Sequence, residues 1–177
     1  MNNISTRRLT TNAVLIAIYV VLEMFSIYIG NYIKLSFYAF PMLVAALLFG
    51  CVDGLFVAGI GEFLYQLLMY GLDPTTILWM IPPMVHAVVA GLYGQRKQHD
   101  LNYKETGFIV LISGLIGTVL TTIVIYLDAK IKMYPSGLTN IVILFRFVNS
   151  LIMSAIYTLV FPRTLMLLKR VKGPTTK

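Results

Sequence analysis

Long apolar runs, interrupted only by short polar links, constrain this chain more than any other feature. From Ala13 to Leu22 the sequence is unbroken apolar, and comparable runs recur to Phe161. A soluble domain carries roughly a quarter of its residues charged to cover its surface. Here 12% of 177 residues are charged while 58% are hydrophobic. Lipid must therefore cover much of the exterior, since about 20 apolar residues make one membrane-spanning helix. The length suits one domain, residues 1–177, with no separate soluble ATP-binding or catalytic unit.

At this window the sequence predicts an all-α membrane protein, a compact bundle of six transmembrane helices. The spans are about 9–28, 35–50, 54–71, 76–94, 104–127 and 138–162, followed by a basic tail, 163–177. Thr75 or Thr76 suits the N-cap of the fourth span. Pro82 and Pro83 fall inside that span and release backbone carbonyls that protein or a wet cavity must satisfy. Arg7 and Arg8 before the first run resemble a signal peptide. No small-x-small site follows, so an uncleaved helix is expected.

The net charge of +7 sits in links rather than in a nucleic-acid-binding stripe. With the N-terminus inside, Arg7, Arg8, Arg96, Lys97, Lys104, Arg163, Lys169, Arg170, Lys172 and Lys177 all fall inside. Only Lys34, Lys130 and Lys132 fall in outer links. Both termini are thus expected in the cytoplasm, with the chain multi-pass in the membrane and in contact with the lipid bilayer. Cys51 is the single cysteine, so no internal disulfide is possible.

Ionisable groups inside spans cost roughly 2.5–3.5 kcal/mol each at the centre, so they mark function or pairing. Glu23, Glu62, His86 and Arg146 are such groups, with Gln66 and Asn149 as neutral companions. Threaded through the topology, most fall in the outer half of the membrane, with Trp79, Tyr126 and Asn140 near the same level. The first link (Tyr28, Asn31, Tyr32, Lys34) and the third (Leu72, Asp73) would roof an outward polar pocket. The substrate-binding candidates are Tyr32, Lys34, Glu62, Gln66, Trp79, His86, Tyr126, Asn140, Arg146 and Asn149. Arg146 offers paired donors that match a carboxylate, or it pairs with Glu62 or Glu23 to fix packing. Trp79 and Tyr126 suit ring stacking or interfacial anchoring. No zinc-protease helix, nucleophile elbow or Walker loop occurs, so no enzyme, metal site or cofactor is expected.

Ala13 and Ala17 lie four apart on the first helix, a shallow face that lets another helix approach closely. That stretch follows Thr6-Arg7-Arg8-Leu9-Thr10-Thr11. It is followed by Leu35-Ser36-Phe37-Tyr38-Ala39-Phe40-Pro41, Ala45-Ala46-Leu47-Leu48-Phe49-Gly50 and Gly59-Ile60-Gly61-Glu62-Phe63-Leu64. In this order the segments resemble the substrate-binding S component of an energy-coupling factor (ECF) vitamin transporter. The resemblance implies six helices that capture a B-type vitamin outside. It also implies a transmembrane coupling subunit and two ABC-type ATPases as partners, with Ala13 and Ala17 facing the coupling subunit. The stretch from Phe40 to Glu62 is nearest to folate- and pantothenate-type members. Two rival readings are a self-contained ion-coupled carrier using Glu62 or Glu23, and a non-transporting bundle whose buried charges only specify pairing.

Overall fold

The computed structural model describes residues 6–29, 33–98 and 101–172. Six helices follow in order: α1 (Thr6–Met24), α2 (Ala39–Phe49), α3 (Cys51–Tyr70), α4 (Thr76–Arg96), α5 (Tyr103–Ile131) and α6 (Asn140–Lys172). Between α1 and α2 lies a hairpin of two short strands, β1 (Ile27–Ile29) and β2 (Ile33–Leu35). The strands are antiparallel, with Ile27 opposite Leu35 and Ile29 opposite Ile33. Among the described residues, four helices, α3 to α6, are long and apolar enough to cross a membrane.

Alternation of direction puts the hairpin and the α3–α4 and α5–α6 links at one end of the bundle, called here the hairpin end. The N-terminus, the α2–α3 turn and the α4–α5 link share the other. α3 packs on α1, α2 and α4, α5 packs between α4 and α6, and α6 closes the ring against β2 and α2.

The element boundaries correct the expected spans. The first helix stops at Met24 rather than 28, because Ile27 to Ile29 pair as a strand. The second span divides into β2 and an 11-residue helix, about 16 Å long, half a bilayer. That helix is short because other helices enclose it: Pro41 and the run Met42 to Leu48 are buried. The link expected over residues 50–54 is Gly50 alone, at φ 110°, where a side chain would be strained. α5 continues past residue 127 to Ile131, which brings Asp128 and Lys130 into the helix. The sixth helix continues to Lys172, through most of the expected tail.

Two end signals also differ. Thr75 is the N-cap of α4, yet its hydroxyl does not cap the helix. Its single proton is shared between the carboxylates of Asp73, at 2.8 Å, and Asp128, while Asp73 accepts the Thr75 N–H at 2.9 Å. α5 opens with a reciprocal cap between Asn102 and Glu105, legible in Asn-x-x-Glu but not read there.

The bundle is apolar outside and partly polar within. Leu144, Phe145, Val148, Leu151 and Ile152 of α6 and Phe108, Ile116, Val119 and Ile123 of α5 are exposed. The aliphatic core centres instead on α2, with Tyr19, Val57, Ala87, Ala90 and Phe161 around it. α1 is fastened to this core at its start: Arg8 pairs with Asp53 and donates to the Phe49 carbonyl at 2.9 Å. Asn12 adds a 2.6 Å hydrogen bond to the same carboxylate. Arg8, expected only as a topology signal, is thus a helix clamp. Elsewhere on α1, Ala13 and Ala17 are exposed.

Candidate functional site

A cavity of about 530 Å³ lies among α1, α3, α4, α5 and α6 beneath the hairpin end. α1 contributes Glu23, and α3, α4, α5 and α6 each contribute residues three or four apart, the spacing of a single helix face. On α4 these are Trp79, Pro82, Pro83 and His86, and on α6 Arg146, Asn149, Ser150, Met153, Ser154 and Tyr157. Pro82 and Pro83 cannot donate to the carbonyls of Leu78 and Trp79, so α4 frees two acceptors beside the cavity.

Six of the ten candidates line this space: Glu62, Gln66, Trp79, His86, Arg146 and Asn149. Tyr126 does not. It follows the lining residue Ile125, and one residue along a helix turns the side chain about 100°. Asn140 sits exposed at the first position of α6, away from the wall. Tyr32 lies outside the described residues, and so does the side chain of Lys34, whose backbone belongs to β2.

The acidic groups lie on the α1–α3 side. Glu62 is buried and accepts from the Tyr19 hydroxyl at 2.9 Å and from the Gln66 amide at 2.7 Å. Glu23 is also buried and accepts from the Ser36 hydroxyl. Close helix approach makes the first arrangement possible. A Cβ at Gly61 would stand 2.7 Å from the Tyr19 ring and 3.2 Å from its Cβ. Those atoms lie near the α1 backbone and cannot swing aside. Gly61→Ala is therefore expected to part α1 from α3, costing about 1–3 kcal/mol as overpacking does. The gain in helix propensity, about 1 kcal/mol, offsets only part of this. Thermal unfolding in detergent reads the result; a melting temperature equal to wild type refutes the tight contact.

Arg146 stands on α6, and its Nε donates to the Thr122 hydroxyl at 3.2 Å. Among the described residues no carboxylate lies within salt-bridge distance of it. The expected alternative, a closed pair with Glu62 or Glu23, is not formed. A guanidinium facing a cavity, with no acidic partner among the described residues, offers paired donors of the geometry a carboxylate can take.

The sequence reading missed a second charged group at the rim. Lys132 bridges Asp73 at 3.1 Å and Asp128 at 3.0 Å, tying the α3–α4 link to the end of α5. Thr75 and Tyr134 donate to the same Asp128 carboxylate. The Thr75 N–H and hydroxyl, then Lys132, hold the Asp73 carboxyl below its usual range. Burial draws Lys132 down, but its hydrogen bonds to Asp128 and Asp73 together raise it above the ordinary lysine value. Asp73 and Lys132 are therefore both charged at neutral pH. Its signal was an acid and a base four apart in Asp128 and Lys132, placed by the reading in a link instead of on one helix face.

The described residues hold no cluster of His, Cys, Asp and Glu able to bind a metal. The family model described as ECF transporter, substrate-specific component, matches residues 7–165. A solved S component of a bacterial ECF transporter shares the fold at TM-score 0.65 and 22% identity, over 94% of this chain and 99% of that one. A solved FolT with bound folic acid shares it at TM-score 0.57 and 20% identity, over 93% and 90%. No curated protein matches significantly. The family is one of membrane transporter components, not of enzymes. A match over nearly the whole chain, on a six-helix bundle enclosing a polar cavity, identifies the chain as a member of the ECF transporter substrate-specific components.

Proposed function

We propose that the chain is the capture subunit of an ATP-driven vitamin importer, taking a carboxylate-bearing B-type vitamin of the folate or pantothenate class. The observation that carries this reading is Arg146, which lines the cavity with no carboxylate beside it among the described residues. A bundle whose buried charges served only to pair helices would have used this one. The cavity volume falls in the range of about 300–1,000 Å³ usual for small-molecule sites. Likeness to a FolT bound with folic acid supports the folate class.

The cavity opens at the hairpin end, on the outer side of the membrane, with both termini in the cytoplasm; the Lys/Arg distribution supports this orientation. Delivery uses a transmembrane coupling subunit and two ABC-type ATPases, since the chain has no nucleotide-binding loop of its own. Ala13 and Ala17 form the contact with the coupling subunit.

Protein purified in detergent is expected to retain its vitamin, which denaturation releases for mass spectrometry. The expected molecule carries a carboxylate. Absence of any released molecule, together with no binding of added folic acid or pantothenate, rules the reading out.

A further inference from the structure

Resting on the capture reading, we infer that Thr122 is a positioning residue for binding. From outside the cavity wall it holds the Arg146 guanidinium, so that a ligand carboxylate is gripped by the two terminal nitrogens, Nη1 and Nη2.

Arg146 lines the cavity and Thr122 does not. The two meet across the α5–α6 seam, where Arg146 Nε donates to the Thr122 hydroxyl at 3.2 Å. That hydroxyl spends its single proton on the Thr118 carbonyl, one turn back on α5, at 2.8 Å. Its oxygen therefore meets the arginine only as an acceptor, and a guanidinium has only donors to offer. The direction of the relay is fixed. Thr118 and Thr121 bond back to their own helix in the same way, but they face the cavity. Of the three threonines, Thr122 is the one that reaches α6.

A guanidinium can hold a carboxylate along an edge that includes Nε, or along the edge formed by Nη1 and Nη2. Thr122 occupies Nε and closes the first choice. It also fixes a long side chain before the ligand arrives, which lowers the ordering cost of binding.

The seam explains how so short a side chain spans two helices. A Cβ at Gly107 would stand 2.6 Å from the Thr158 methyl group, and one at Gly114 3.1 Å from the Ser154 hydroxyl. Glycine on α5 thus lets α6 approach closely, as small residues do in membrane helices. Thr122 and Arg146 occupy the continuation of this antiparallel seam toward the hairpin end, where the same closeness brings a hydroxyl to Nε.

The test is a double-mutant cycle, read by calorimetric titration of ligand-stripped protein with folic acid and with pantothenate. Thr122→Val keeps the shape of the side chain and removes the acceptor. It is expected to weaken whichever probe binds wild-type protein by about three- to tenfold. Thr122→Ala, which adds no bulk to the seam, should show the same loss. Thr122→Ser retains the hydroxyl and should stay within about twofold of wild type. In Arg146→Ala protein, Thr122→Val should cost nothing more, because a residue that acts through Arg146 has nothing left to position. Full affinity in both Thr122→Val and Thr122→Ala overturns the inference. So does a loss of the same size in the Arg146→Ala background, which would mark Thr122 as a general packing residue. Either result spares the capture reading. Failure of wild-type protein to bind folic acid or pantothenate overturns both.

Discussion

Replacing Arg146 by alanine is expected to weaken a carboxylate ligand more than about tenfold, the loss of a charge-assisted contact worth roughly 1.5–3 kcal/mol. The structure makes this substitution unusually clean. Removing one partner of a buried ion pair strands the other charge, at a cost of about 3–5 kcal/mol to the fold. Arg146 has no acidic partner among the described residues, and its Nε hydrogen bond to Thr122 leaves behind only a hydroxyl that can turn elsewhere. The ligand-free protein should keep its melting temperature while affinity collapses. Arg146→Lys should recover part of the loss, because the charge returns without the planar pair of donors. Unchanged affinity in Arg146→Ala removes the residue from the site.

Ala13→Trp is expected to do the reverse: binding survives and transport is abolished. On α1, Asn12, Tyr19, Val20 and Glu23 turn inward, while Ala13 and Ala17 are exposed one turn apart. A tryptophan at Ala13 meets lipid in the isolated subunit and leaves the cavity wall, where α1 contributes Glu23, untouched. Against a closely packed partner helix the same ring has no room, since small residues are what permit that approach. Proteoliposomes containing the coupling subunit and ATPases should show ATP-dependent uptake with wild-type chain and none with Ala13→Trp. Normal uptake places the partner surface elsewhere.

Both experiments use residues that were visible before any fold was known, because an ionisable or small side chain in an apolar run stands out by itself. Glu62, Gln66, His86 and Arg146 were legible for that reason, and so was the pair at Ala13 and Ala17. Asp128 and Lys132 were not: they lie where a span was expected to have ended, so their charges looked like ordinary link residues. Tyr126 was selected by depth alone, and depth carries no information on which way a side chain turns. The hairpin escaped notice because the stretch between the first two spans read as a polar link around Asn31 and Lys34, and strands of three residues are too short to show an alternating pattern.

Composition and order alone determined that this chain is a membrane bundle, roughly where its helices run and which side chains are too costly to meet lipid. Those properties follow from transfer energies summed along the chain, which need no neighbours. Tertiary structure decided which polar groups share one cavity, that Arg146 faces it beside Thr122 instead of closing on Glu62, and that Lys132 reaches across to Asp73. Each of these is a matter of helix rotation and of distances between residues far apart in sequence, set by close packing such as Gly61 against Tyr19, and no local pattern encodes it.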